Sequence, residues 1–416
     1  MSVAHEYVAQ FRRFNANARW YLAYTFISGI GSGIYGLFYN LYVLSLGHSP
    51  AFLGTLLAIP LVAVTVLAFP AGMLGRRIGY RNTLLLGTAV LVASLVGGCV
   101  APSAAGLVAF ALGLGVMHAL IDVSNAPFVA ENSRPLERTH LFSVQFAVRL
   151  FASFFGSLGA GLLPAQFARA LHVGAESPGA YRATLLLSAG VFVLSLLPLL
   201  RVRRSLAPSR AADASAPARS AARLTRTEVG VLTKLFVPQV VIGLGAGALV
   251  PFLNVFFKMR FAVSDSLLGV LFALQAVAMG LATLAGPAVA ARLGRVRTVV
   301  LTQVVSIPFL AILGFVPSLS VASVGFLARA GLMNMGHPLY SAFAMDEVDE
   351  RRRGTANALL VMSSQGSRAV SSWAAGLLLQ GPGFSPIFGL TITCYLAASA
   401  MTHRFFSRRA LASSSN

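Results

Sequence analysis

The sequence predicts an all-α membrane protein: twelve transmembrane helices arranged as two pseudo-symmetric six-helix bundles (6+6) around a central cavity. Three observations predict it. The 416 residues are 56% hydrophobic and 11% charged, with a mean hydropathy of +0.77, whereas a soluble domain is about 45–50% apolar and about 25% charged. Apolar runs long enough to cross roughly 30 Å of hydrocarbon at about 1.5 Å per helical residue occur twelve times. The chain also repeats itself. Gly29, Gly31, Gly33, Phe38 and Asn40 recur 214 residues later as Gly243, Gly245, Gly247, Phe252 and Asn254. At an offset of 215, Leu53 and Gly54 recur as Leu268 and Gly269, Arg77 and Gly79 as Arg292 and Gly294, Phe128 as Phe343, Glu131 as Asp346, Arg138 as Arg353 and Gly161 as Gly376. A duplicated apolar half is the pattern of a repeat-built membrane fold.

The spans follow in order. A polar, Arg-containing start runs into span 1 at 22–45, which is too long for the apolar core of a signal peptide and lacks a clear cleavage site, so it is expected to stay as a helix. Spans 2 to 6 lie at 51–74, 83–101, 104–130, 141–163 and 181–200. Residues 201–233 read as a cytoplasmic linker rich in Ala, Pro, Ser and Arg, with a surface amphipathic helix as one option. Spans 7 to 12 lie at 234–257, 266–290, 298–316, 320–345, 355–380 and 384–406, giving bundles over 1–200 and 234–416. Cys99 and Cys394 sit singly in apolar spans, so neither a disulfide framework nor a metal-ligand spacing is indicated, and no cofactor is expected.

The net charge of +20 is informative through its distribution. In this topology 25 of the 32 basic residues fall on one side, and only Arg169, Arg182, Lys258 and Arg260 on the other. That is the cytoplasmic bias of membrane proteins, so both termini are expected in the cytoplasm and the protein in the plasma (inner) membrane. Membrane lipids, and no nucleic acid, are then the partners of the basic loops. A monomer is expected.

Gly31-Ser-Gly33-Ile-Tyr-Gly36 spells a GxGxxG pattern, but the dinucleotide fingerprint needs a strand before it and a βαβ unit around it. Inside a membrane span, small residues instead let helix backbones approach closely. Their recurrence in span 7 points to packing where the two halves meet.

Between spans 2 and 3 the chain reads Gly72-Met-Leu-Gly-Arg-Arg-Ile-Gly-Tyr-Arg81. This resembles the signature of the major facilitator superfamily, usually written G-x-L-x-D-R-x-G-R-K, with Gly72, Leu74, Arg77, Gly79 and Arg81 matching. A degenerate copy containing Arg292, Gly294 and Arg295 lies between spans 8 and 9. The resemblance covers the whole chain and implies conformational gating by Gly72, Arg77, Gly79, Arg81, Glu131, Arg138 and Asp346. The signature's acid, which in the family braces helix ends, is Arg76 here; Glu131, Asp346 and Glu347 are alternative partners for the basic loops. The patterns of the drug-antiporter subgroup are absent: span 4 has no Arg, and span 5 lacks the proline.

Ionisable groups at bilayer depth cost about 2.5–3.5 kcal/mol each on insertion scales and tend to face cavities. Asp122, Arg149, Arg329 and Arg368 stand out. Asp122 and Arg149 lie at similar depths on neighbouring spans, either as a static pair or as a state-dependent or substrate contact. His118 is one turn from Asp122, on the same face, and a histidine with a carboxylate can carry a proton. Arg329 and Arg368 lack an intramembrane acid in their half and suit a carboxylate, phosphate or sulfate, or face waters and carbonyls. The family resemblance places helices 1, 4, 7 and 10 along the pathway. It thereby adds Tyr35, Asn40, Asn125, Asn254, His337 and Tyr340 to the candidate substrate contacts, which Gln275 of span 8 joins, with Tyr24, Gln145, Gln239, Asn334 and Gln365 as further donors and acceptors.

These features predict a secondary active transporter that moves a small organic solute, anionic or polar, by alternating access, as antiporter or symporter, in efflux or uptake, with proton coupling as an option. No nucleotide-binding loop is present, and no catalytic dyad or nucleophile motif indicates an enzyme. A lipid or lysolipid flippase of the same fold, or a non-transporting membrane receptor, remains as an alternative.

Overall fold

The computed structural model describes residues 14–133, 135–203, 225–349 and 353–412; residues 204–224 of the expected linker, and with them its optional surface helix, lie outside the described residues. Every regular element among the described residues is helical, the form that satisfies each backbone N–H and C=O within its own segment where there is no water. The first half folds into α1 (Ala16–Ser45), α2 (Pro50–Ile78), α3 (Tyr80–Val100), α4 (Ala104–Glu131), α5 (Pro135–Ala160), α6 (Leu163–Leu171) and α7 (Pro178–Arg201). The second folds into α8 (Arg226–Leu249), a 3-10 turn (Val250–Phe252), α9 (Leu253–Phe261), α10 (Asp265–Leu293), α11 (Arg295–Phe315), α12 (Leu319–Asp346), α13 (Arg353–Gln380) and α14 (Phe384–Ala412). With α6 as a short appendix to α5, and α8 and α9 as one crossing, these make the expected six and six.

Among the described residues, nine spans are long and apolar enough to cross a membrane. Helices α1, α12 and α13 are as long, at 30, 28 and 28 residues, and fall short because they carry polar side chains. These are Tyr21, Tyr24 and Asn40 on α1, Arg329, Asn334 and His337 on α12, and Gln365, Arg368 and several serines on α13.

Two spans depart from the sequence expectation. Span 5 ends at Ala160, and Leu163 starts a separate helix with Pro164 in its first turn. Span 7 is broken by Pro251, which has no N–H to continue the α ladder. Helix α8 also starts at Arg226, inside the stretch read as linker. Thr225 caps it in a reciprocal box: Glu228 N–H donates to Thr225 Oγ1 at 3.2 Å, and Thr225 N–H donates to Glu228 Oε2 at 2.7 Å.

The described residues up to Tyr39, with those from Val66 to Arg203, form one compact unit; Asn40–Thr65, with those from Thr225 onward, form the other. In the first unit the repeated glycines of α1 meet α5 and α7. A Cβ added at Gly29 would lie 2.6 Å from Ala152 Cβ, one at Gly33 2.9 Å from the Ser153 carbonyl oxygen, and one at Gly31 3.1 Å from the Phe192 ring. In the second unit the copies on α8 meet α13 and α14: a Cβ at Gly247 would lie 2.6 Å from Arg368 Cα, and one at Gly245 3.2 Å from the Tyr395 ring. Ser372 Oγ donates to the Gly247 carbonyl at 2.8 Å, and Thr391 Oγ1 to that of Gly245 at 3.0 Å. The stripes therefore pack within each half, which corrects the expectation that they line a seam between halves. Small residues let the backbones approach, and hydroxyls bond across the contact.

The short connections after α2 and α10 also repeat. Gly79 and Gly294 hold φ of +85° and +82°, a left-handed conformation that glycine adopts without steric cost. The N–H of each closes the preceding helix, on Gly75 and Ala290, and the carbonyl of each opens the next, to Thr83 and Thr298.

Candidate functional site

The second unit contains a cavity of about 270 Å³ lined by Gln239 of α8, His337, Tyr340 and Ser341 of α12, and Asn357, Leu360, Val361, Ser364, Gln365 and Arg368 of α13. Helical spacing builds both walls. His337, Tyr340 and Ser341 stand at i, i+3 and i+4, and Asn357, Val361, Ser364 and Arg368 at i, i+4, i+7 and i+11, so each set shares one face. Tyr340 is buried, and its hydroxyl donates to the Leu235 carbonyl at 2.5 Å, tying α12 to α8. Arg368 keeps a buried Nε with no hydrogen-bond partner among the described residues, and its charge reaches His337. The root of Arg368 is fixed by the glycine contact, because α8 passes close to its Cα at Gly247.

The first unit carries the counterpart. Tyr21 Oη donates to Asn125 Oδ1 at 2.6 Å, and Gln145 Nε2 reaches both, at 2.9 Å from Tyr21 Oη and 2.8 Å from Asn125 Oδ1. By the repeat, Tyr21, Asn125 and Gln145 stand where Leu235, Tyr340 and Leu360 stand in the second unit. The same helix junction is thus closed by three side chains in one half and by a side chain and a carbonyl in the other. His118 and Asp122 are exposed on one face of α4. The charges of His118 and Arg149 both act on Asp122, while the Arg149 guanidinium lies over the Phe146 ring, 5.6 Å from its centroid, within cation–π range. By the repeat, Asp122 is equivalent in sequence to His337, Arg149 to Ser364 and Ser153 to Arg368. Each half therefore puts an arginine on the equivalent helix, Arg149 on α5 and Arg368 on α13, at repeat positions one turn apart.

Other expected residues are placed elsewhere. Asn40 and Asn254 are buried and bond to one another, Nδ2 to Oδ1 at 3.0 Å, and Asn40 Nδ2 also donates to the Pro251 carbonyl at 2.6 Å. Neither lines the pocket. Tyr35 packs in an aromatic cluster with Tyr39 and Phe110, at centroid separations of 5.3 and 6.0 Å. Tyr24 bonds Thr88 at 3.0 Å. Gln275 is half-buried on α10. Asn334 turns back to the Ala330 carbonyl at 2.9 Å. Arg329 is 4% exposed, and neither its Nε nor its Nη1 has a partner among the described residues.

At the signature loop, Gly72 lets α2 approach Val123, where an added Cβ would lie at 3.3 Å, and Arg77 is exposed. Arg81 Nη2 donates to the Leu200 carbonyl at 2.8 Å, and Arg138 Nη2 to that of Ala130 at 3.3 Å. Glu131 lies within electrostatic reach of Tyr80. In the second half the position of Tyr80 is taken by Arg295, which forms an ion pair with Asp346. Tyr21, Ser341, Asn357 and Ser364 were not singled out from the sequence. The helical stripe on α13 was the signal for Asn357 and Ser364, and nothing in the local sequence marked Tyr21 above other tyrosines.

Long apolar helices, with a polar pocket lined from α8, α12 and α13 in the second unit, define a multi-pass integral membrane protein. The family model of the Major Facilitator Superfamily matches residues 21–261 and 235–415, and the chain belongs to that superfamily. No curated protein matches the sequence significantly. Among solved structures, a variant of the nucleoside transporter NupG is similar at TM-score 0.74 and 13% identity, over 93% of this chain and 100% of that one. A D-xylose-proton symporter is similar at TM-score 0.71 and 17% identity, over 95% and 97% of the two chains. The human organic anion transporter MFSD10 (TETRAN) is similar at TM-score 0.61 and 19% identity, over 92% and 99%. These likenesses establish the fold.

Proposed function

We propose that the chain is a secondary active transporter which moves a small polar or anionic organic solute by alternating access, using the pocket between α8, α12 and α13 as part of its cargo site. The observation that carries this reading is the pocket itself: one arginine and a set of amides and hydroxyls held within membrane helices, where ionisable groups are costly unless they serve a cavity. Family membership supports it, and the solved neighbours named above move nucleosides, D-xylose with protons and organic anions.

Energy comes from a gradient. Asp122 and His118, exposed together on α4 with the Arg149 charge in reach, are the proton-coupling pair of this reading. Cytoplasmic termini and a plasma-membrane location belong to the same reading, supported by the one-sided distribution of basic residues. The test is proton-linked solute flux in reconstituted vesicles. Asp122→Asn abolishes pH-driven accumulation while leaving solute counterflow intact; unchanged pH-driven accumulation would remove Asp122 from the coupling.

A further inference from the structure

We infer that the cargo seated between α8, α12 and α13 is a small organic acid bearing a single negative charge and several hydroxyl or amide groups, its acid group lying on the guanidinium of Arg368. This rests on the transport reading and specifies its substrate class.

The sign of the charge follows from the lining. Arg368 is the permanent charge among the pocket residues, and no Asp or Glu lines the pocket among the described residues. A cationic solute would meet unopposed repulsion there. The charge that this pocket seats follows from the same count: one fixed guanidinium balances one acid group, while a phosphate dianion would need a second fixed cation. Arg368 is also unspent. Its Nε is buried without a partner among the described residues, and the Nε edge of a guanidinium offers two parallel donors that match a carboxylate. A buried donor without an acceptor is costly, and an acid group in the pocket relieves that cost.

The body of the solute follows from the remaining walls. Gln239, Ser341, Asn357, Ser364 and Gln365 offer amides and hydroxyls, which form hydrogen bonds in either direction and match a hydroxylated or amidated chain. Tyr340 contributes its ring but not its proton, which the Leu235 carbonyl takes. Leu360 and Val361 leave room for one apolar edge. The cavity of about 270 Å³, just under the roughly 300–1,000 Å³ of drug-sized sites, has room for the acid group and the polar chain next to it.

The experiment uses the full-length protein in two readouts, thermal stabilisation in detergent and uptake by proteoliposomes. The probes are threonate, gluconate and quinate, set against neutral glucitol, cationic glucosamine and glucose 6-phosphate. At least one monocarboxylate stabilises the protein and is taken up. Arg368→Gln weakens that binding by about 10- to 100-fold, the worth of a hydrogen bond to a charged group, and Arg368→Lys recovers part of it. A ligand-free unfolding midpoint that matches the parent shows that either variant is folded. Monocarboxylate binding that survives Arg368→Gln unchanged, or no monocarboxylate binding at all, overturns the inference. Binding of glucitol or glucose 6-phosphate that weakens in Asn357→Ala and Gln365→Ala also overturns it, but leaves the pocket as the cargo site. If no probe of any charge responds to substitutions in the pocket, the cargo-site reading falls as well.

Discussion

Asn40 and Asn254, the same residue in the two copies of the repeat, hydrogen-bond to each other at 3.0 Å, and both are almost fully buried, at 5% and 2% exposure. Asn40 Nδ2 also holds the Pro251 carbonyl, and Asn254 Oδ1 accepts the Val255 N–H. The pair thus pins the end of α1 to the point where span 7 loses its α ladder. Pro251 cannot donate, so the turn around it depends on side chains for bonds that an intact helix would make itself. Asn40→Ala orphans the Pro251 carbonyl and costs about 1–3 kcal/mol, read as a lower unfolding midpoint in detergent. A double-mutant cycle with Asn254→Ala shows coupling between the two sites; strict additivity would mean that the two amides act separately.

Glycines in α1 separate by what they face. A Cβ at Gly33 would sit 2.9 Å from the Ser153 carbonyl, a backbone atom that cannot swing aside, whereas one at Gly36 meets nothing within 4 Å. Gly33→Ala therefore forces α1 from α5 and destabilises by about 1–3 kcal/mol. Gly36→Ala stabilises by about 0.4–1 kcal/mol, because it narrows the unfolded ensemble without a clash. Thermal unfolding of the two variants gives opposite signs; equal shifts would show that the close approach does not set the spacing of these helices.

Composition, run length and the repeat made the architecture legible before any coordinates, because a bilayer permits so few backbone solutions. The signature loop was legible for the same reason its glycine is invariant between the two copies: Gly79 and Gly294 both need a positive φ. Sequence could not say what the repeated residues do. Equivalence of Asn40 and Asn254 marks a shared place in each half, and both were expected at the substrate. The bond between them depends on distance, which no pattern encodes. Likewise the glycine stripes were recognisable as packing surfaces, but their partners, α5 and α13, came only from the fold. The pocket was half legible: Arg368 stood out by depth, and Gln239, His337, Tyr340 and Gln365 came through the family resemblance, whereas Asn357 and Ser364 are ordinary residues made useful by sharing a face of α13 with Arg368.

The ion pair Arg295–Asp346 occupies, in the second half, the loop where the first half has Tyr80 near Glu131. Its side chains are 51% and 61% exposed, so solvent screens it and its net worth is about 0.2–1 kcal/mol. Asp346→Asn shifts the unfolding midpoint little at physiological salt. If the pair helps hold one transport conformation, Asp346→Asn and Arg295→Gln change transport rate by similar factors, and the double variant changes it no further. Rates that multiply in the double variant would mean that the two residues act apart.

Arg329 poses the sharpest energetic question in the second unit. Its side chain is 4% exposed, with Nε and Nη1 unpartnered among the described residues, one turn from Phe326, which packs against Phe257 and Phe272 at centroid separations of 5.1 and 5.3 Å. A guanidinium with two nitrogens left without an acceptor in such surroundings is a net cost, since their desolvation is not returned by hydrogen bonds. Arg329→Met keeps the length and apolar stem while removing the charge, and raises stability by about 1–4 kcal/mol, the range seen when buried ion pairs give way to well-packed hydrophobes. Arg329→Lys keeps the charge and brings no such gain. A gain in stability together with lost transport would identify Arg329 as a charge retained for function at the expense of the fold. A loss of stability in Arg329→Met would show instead that the guanidinium is satisfied, and that its partner holds α12 in place.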